Sequence, residues 1–280
     1  MRVNPNSLLA VLVGFTLNLG LSGVAQAALP AATTNAVVSA SAYVPIAWTS
    51  SELMDSTWSW SDIHGNSAGA TATSGPLPSI AVTAHAAQDG KIFYVDGRLE
   101  YSFLVSGPNT GINVPILVSG IYRMGNSAGV SSPYASQAAA QVNAAVYGPS
   151  LSYLYAFSKS CNSAASNAAD RICGDGSFVG TMNFLSGNAG LIRLQTVASV
   201  SSAFSYSNIV LNLNADASAY IDPYIEIDPT WALANPGYSI SVSQGVGNTA
   251  PVPEAETYAM MLAGLGLVGL MARRRKQLEA

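Results

Sequence analysis

The chain has 280 residues, only 9% of them charged, and a net charge of −4. That balance leaves no electrostatic footprint for nucleic acid. Alanine, glycine, serine, threonine and asparagine dominate, and there are two cysteines and two histidines. A metal cluster of the usual His/Cys kind is therefore not expected, and neither is a resident cofactor.

Met1 to Ala27 reads as a secretory signal peptide. Arg2 supplies the charged n-region, Leu8 to Leu21 an apolar stretch broken only by Thr16 and Asn18, and Ala25-Gln26-Ala27 an A-x-A cleavage site. The alternative is an uncleaved N-terminal anchor. The body, 28–250, would then lie outside the cytoplasm. It holds six basic and twelve acidic residues, a net charge of −6. Some 220 residues suffice for one sizeable core.

Period-two alternation runs through the body, and strong helix signals are absent. Residues 36–48 alternate loosely. Lys91 to Val95, Asp96-Gly97, and Arg98 to Val105 read as a hairpin, since Asp-Gly suits a type I′ turn. Gly107 to Gly111 is a turn cluster. Val114 to Ile121 reads as a strand, with Pro115 suggesting an edge or bulge. Tyr134 to Tyr147 is helical by alanine content, yet alternates as a strand does, and strand is favoured. Residues 151–157, 176–185, 191–206 and 209–220 continue the series. Tyr220 to Thr230 alternates strictly, with Ile221, Pro223, Ile225 and Ile227 on one face and Asp222, Tyr224, Glu226 and Asp228 on the other. A loop through Trp231 and 235–237 leads to a last strand at 238–243. The fold class expected is all-β: an antiparallel sandwich or jelly-roll-like body.

Cys161 and Cys173 bracket a short polar loop. In an oxidising compartment they are expected to form a disulfide, with free thiols as the alternative.

The candidates for chemistry are few. Ser67 and Ser127 each sit in G-x-S-x-G, which makes a nucleophile elbow only on a strand-to-helix turn followed by acid and then His. Ser67 precedes His85 with no acidic residue between, and Ser127 precedes no histidine. The repeat reads as two similar loops, and no catalytic residue is assigned there. His64 and His85 could meet Asp62 or Asp89 at a metal, but the spacing fits no metal motif, and no metal site is expected. Glu226 and Asp228 are about 6.7 Å apart along one strand face, a glycosidase-like spacing. The commoner meaning of Asp222, Glu226 and Asp228 is a solvated or edge-protecting face. Trp58 and Trp60 share one face, where they either fill the core or stack sugars, and core is favoured.

The C-terminal 30 residues are ordered in three parts. Val252, Pro253, Glu254 and Ala255 open a motif at 252–257. An apolar stretch follows at 257–272, of which Tyr258 to Ala272 is 15 uncharged residues or about 22 Å of helix. Arg273, Arg274, Arg275 and Lys276 close it. A basic cluster after an apolar span is a membrane stop with its charged end in the cytoplasm. A buried core helix is the rival on length alone. This tail, 251–280, resembles the PEP-CTERM sorting signal of Gram-negative bacteria, with Ala255 where that motif has its second proline. The resemblance implies a single transmembrane helix and an exosortase-type membrane transpeptidase as partner. It further implies an exported protein, first anchored in the inner membrane with its body in the periplasm and then moved to the cell surface or beyond. Such tails are also labelled as the C-terminal domain of ice-binding proteins, which describes the tail only. The stretch Leu99 to Pro108 and the segment from Tyr220 are similar to bodies of other proteins of this type.

The function expected is structural or adhesive, linked to exopolysaccharide or biofilm, and non-enzymatic. A secreted glycan-acting enzyme using Glu226 and Asp228, or a carbohydrate-binding module, is the alternative. Ice binding ranks last, because it needs a flat threonine-rich face and no sustained threonine repeat is present.

Overall fold

Strands of alternating small apolar and neutral polar residues must bury one face, and two sheets stacked on that face satisfy all of them. The computed structural model describes residues 28–40, 46–50, 56–87, 92–131, 134–164, 173–201 and 214–248. The signal-peptide expectation at Ala25 and Ala27, Asp89 and the whole tail from 251 onward lie outside the described residues. No helix among the described residues is long and apolar enough to cross a membrane.

The strands are β1 (Thr33–Ala40), β2 (Ile46–Ser50), β3 (Ser56–Ser61), β4 (Ser67–Thr73), β5 (Ser79–Ala86), β6 (Ile92–Ser106), β7 (Asn113–Ala128), β8 (Val130–Ser131), β9 (Tyr134–Ala135), β10 (Gln137–Tyr147), β11 (Tyr153–Asn162), β12 (Gly176–Leu185), β13 (Ala189–Ser201), β14 (Ala215–Ile227) and β15 (Ser239–Val242). A seven-stranded sheet has the order β11-β10-β13-β6-β1-β2, with β15 also paired to β6. A six-stranded sheet has the order β12-β7-β14-β5-β4-β3, and β8 and β9 form a small separate ribbon. The pairings of both main sheets are antiparallel. The expected all-β sandwich is therefore present.

The core between the sheets is graded. Alanines line the inner faces of β4, β5, β10 and β14, including Ala70, Ala84, Ala140 and Ala217. Phe93, Phe103 and Phe184 fill another part, with the Phe103 and Phe184 rings 4.7 Å apart. This explains why the alanine-rich segment at 137–147 is a strand. Small side chains let facing sheets approach, and that tertiary demand overrides alanine's helix propensity.

Three expectations are corrected. The hairpin at Asp96-Gly97 does not exist: β6 runs unbroken from Ile92 to Ser106. Both residues sit in ladders, Asp96 opposite Val37 and Val197, and Gly97 opposite Ala36 and Thr196. Gly97 serves a different need. A Cβ there would lie 2.7 Å from Val82 Cγ1 and 3.1 Å from Ile80 Cγ1 on the facing sheet, so only glycine lets β5 approach this closely.

Pro115 marks no bulge and does not make β7 an edge strand, since β7 pairs with β12 and β14, but at Pro115 itself only β12 is paired. The β14 ladder ends at Ile227 opposite Ile116, so at Pro115 the missing N–H faces no partner strand. Pro223 in β14 is accommodated the same way, since β5 stops pairing at Ile221. Finally, the Trp231 segment is not all loop. It holds a short helix, α1 (Pro229–Ala234), whose N-cap is Asp228 and whose first residue is Pro229. That Asp-Pro pair is a legible helix start.

Candidate functional site

Each sheet turns one face to solvent, and the outer face of the seven-stranded sheet carries a continuous polar ladder. Asp96 is only 7% exposed, although it points outward. Arg98 forks onto it, Nη2 donating to Oδ2 at 2.9 Å and Nε to Oδ1 at 3.3 Å. From the neighbouring β13, Gln195 Nε2 donates to both Asp96 oxygens at 3.0 Å. Asn143 Nδ2 on β10 donates to Gln195 Oε1 at 3.4 Å, and Gln141 Nε2 donates to Asn143 Oδ1 at 3.1 Å. One row along, Arg193 bonds Glu100 and lies 5.2 Å from the Tyr147 ring centroid. The network ties β6, β13 and β10 together through amides, a carboxylate and a guanidinium.

Beside the ladder the row Tyr94, Ser199, Ala139, Asn162 crosses four strands in register. The small side chains of Ser199 and Ala139 sink between Tyr94 and Asn162. They open a hollow of about 410 Å³, which Gln141 and Ser160 also line. Tyr94 stands 38% exposed at its rim. Partial burial, with the Asp96 carboxylate adding, holds its hydroxyl above the ordinary tyrosine value.

The outer face of the six-stranded sheet brings together residues that looked unrelated along the chain. Ser67, His85, Asp216 and Ser127 form one row across β4, β5, β14 and β7. His85 Nδ1 lies 2.6 Å from Asp216 Oδ1, and Ser127 Oγ donates to Asp216 Oδ2 at 3.0 Å. Neither serine is on a strand-to-helix turn, and neither sits in a loop as expected: Ser67 opens β4 and Ser127 lies within β7.

The remaining candidates are placed apart. Asp62 accepts from the backbone N–H of His64 and of Asn66, and from Asn66 Nδ2, which organises the β3–β4 turn. Among the described residues no three His, Cys, Asp or Glu side chains converge as metal ligands. Trp58 and Trp60 pack against the core, Trp60 with its ring centroid 5.3 Å from that of Phe93.

The carboxylates of the strictly alternating segment have separate partners. Asp222 is 5% exposed and accepts from Tyr220 Oη at 2.7 Å and from the Ile121 N–H at 2.9 Å. Burial and that bond push the Tyr220 hydroxyl up to about 12. Glu226 accepts from Tyr224 Oη at 3.2 Å. Asp228 accepts from the N–H groups of Thr230 and Trp231 as the cap of α1. Glu226 and Asp228 thus have different surroundings and do not converge on one hydrogen-bonded network. Cys161 and Cys173 form the expected disulfide.

Asp216, Tyr94 and the Gln195–Asn143–Gln141 ladder carry no motif. The one signal was alternation, which puts Arg193 with Gln195, and Gln141 with Asn143, on a common face.

No curated protein matches the chain. Among solved structures, TmCBM61 in complex with β-1,4-galactotriose matches over 57% of this chain and 88% of that one. The identity is 10% and the TM-score 0.21, a likeness too slight to carry an argument. Residues 251–276 match the PEP-CTERM protein-sorting motif, so the chain carries the sorting signal of an exosortase substrate at its C-terminal end.

Proposed function

We propose that this exported β-rich protein is a cell-surface or matrix component that holds a hydroxyl-rich polysaccharide on the outer face of its seven-stranded sheet. The observation that carries the reading is the hydrogen-bonded ladder Arg98–Asp96–Gln195–Asn143–Gln141 beside the Tyr94 hollow. Sugars present rows of hydroxyls on one edge and C–H groups on a ring face. Amides, carboxylates and guanidinium groups match the first, and an exposed tyrosine ring matches the second. The ladder's internal bonds hold these groups in place before a ligand arrives, which lowers the ordering cost of binding. The reading assigns no catalytic role to the face.

The tail supplies delivery. In this reading the apolar stretch 257–272 holds the body outside the inner membrane, with Arg273, Arg274, Arg275 and Lys276 inside. An exosortase-type transpeptidase then processes the chain at Val252 to Ala255. Mass spectrometry of the mature protein is expected to find a C-terminus near Pro253-Glu254. A mature chain retaining Arg273 to Lys276 would leave a permanent anchor instead.

The binding face is tested on a glycan array followed by titration. Tyr94→Ala is expected to weaken binding roughly 10- to 30-fold, the effect of losing an aromatic anchor of about 1.5–2 kcal/mol. Binding untouched by Tyr94→Ala and by Gln195→Ala would remove this face from the function.

A further inference from the structure

The hollow on the six-stranded sheet remains unassigned. It encloses about 310 Å³. One side is the row Ser67, His85, Asp216, Ser127. The adjacent row in the same four strands is Gly69, Thr83, Ser218, Gly125. A Cβ at Gly125 would lie 2.8 Å from Ser218 Oγ, so glycine keeps the floor open.

The polar groups are arranged for a partner. His85 and Asp216 are 32% and 56% exposed in their side chains, and a polar pair this open to water contributes little to folding. An ionised carboxylate offers about four acceptor directions. Asp216 uses two on His85 and Ser127, and its side chain is 56% exposed where it lines the hollow. With Nδ1 engaged by Asp216, Nε2 is the ring nitrogen not used in that bond. Acceptors, a ring nitrogen and the hydroxyls of Ser67, Thr83 and Ser218 together complement a ligand that both donates and accepts, as a sugar does.

The composition invites an acyl-transfer reading, which the geometry disfavours. Ser127 bonds the carboxylate and not the imidazole. The backbone N–H groups of β4, β5, β14 and β7 in this row lie in strand ladders, so no donor pair is set out for an oxyanion.

The two hollows also stand back to back. Asn126, on β7 beneath this one, donates from Nδ2 to the Ala138 carbonyl on β10 beneath the other, at 3.4 Å. Packed sheets are about 10 Å apart, so the two sites face opposite ways across one sandwich.

We infer that the Ser67–His85–Asp216–Ser127 hollow is a second saccharide site, and that the protein is bivalent and cross-links two strands of the polymer. The inference rests on the glycan reading of the seven-stranded face. Opposed sites on one rigid body favour bridging two chains over wrapping one, and a network of such bridges gains avidity without tighter single sites.

A sandwich capture tests it. The monomeric fraction of the full chain in detergent is captured on immobilised xylan, alginate or dextran, then offered the same polymer carrying fluorescein. Wild-type protein is expected to retain the label. The double variant His85→Ala/Asp216→Asn is expected to lose about tenfold of the retained label while its own capture stays within about twofold. Label retention unchanged in that variant overturns the inference. So does wild-type protein that is captured but retains no label. No capture on the three polymers, with array binding intact, overturns cross-linking alone. Absence of binding in both assays overturns the glycan reading together with it.

Discussion

Replacing both cysteines, Cys161→Ala with Cys173→Ala, is expected to lower stability by about 3 kcal/mol, the chain-entropy value for a loop of this size. The two residues are 12 apart in sequence. The bond matters more than its short loop suggests, because of where it sits. Cys161 belongs to β11, the outermost strand of the seven-stranded sheet, and Cys173 leads into β12, the outermost strand of the other. The disulfide therefore clasps the two sheets along one open side. Beside it the Phe157 ring stacks on Phe178 at 4.6 Å and lies 5.3 Å from Tyr122. Urea denaturation of the oxidised protein and the double variant checks the value, with the slope expected to stay constant. A loss below about 1 kcal/mol would mean that the aromatic contacts hold this side closed unaided.

Gly97→Val is expected to cost roughly 2–3 kcal/mol, in the upper part of the range for forcing methyl groups into a packed core. Its Cβ would meet Val82 and Ile80 of the facing sheet and Thr196 Oγ1 at 3.2 Å on the neighbouring strand. Neither side can retreat, because Gly97 is laddered to β1 and β13 at once. The measurement separates two roles for the same glycine. In a type I′ turn the penalty would come from backbone conformation, and alanine would already incur most of it. In a central strand the penalty grows with side-chain volume, so Gly97→Ala should cost less than Gly97→Val. Equal costs would contradict the packing account.

The Asp96-Gly97 pair shows why local reading failed where it did. The dipeptide is a strong turn signal, yet Phe93, Val95, Leu99, Tyr101 and Phe103 keep one alternation through it. All five are fully or almost fully buried. A turn would have broken that phase, so continuity of the alternation outweighs a local dipeptide preference. The alanine segment at 137–147 went the other way. Its alternation was read correctly against its helix propensity, because period two is a statement about burial. Helix α1 was overlooked because it is shorter than two turns, although Asp228-Pro229 announced it.

Linear reading was enough for whatever depends on neighbours in the chain. The ordered tail, the strictly alternating segment from Tyr220, the strand at 176–185 and the close pair of cysteines were all visible there. Their physics is local: hydropathy, charge order, side-chain alternation and a short loop to close. The candidate sites are different. Asp216 lies 131 residues from His85, and Gln195 lies 99 from Asp96. Which strands become neighbours is decided by how two sheets share one core, and a strand's own side chains carry almost no information about its partner. Only the tertiary structure places the two G-x-S-x-G serines at opposite ends of one row, with the histidine and a distant aspartate between them.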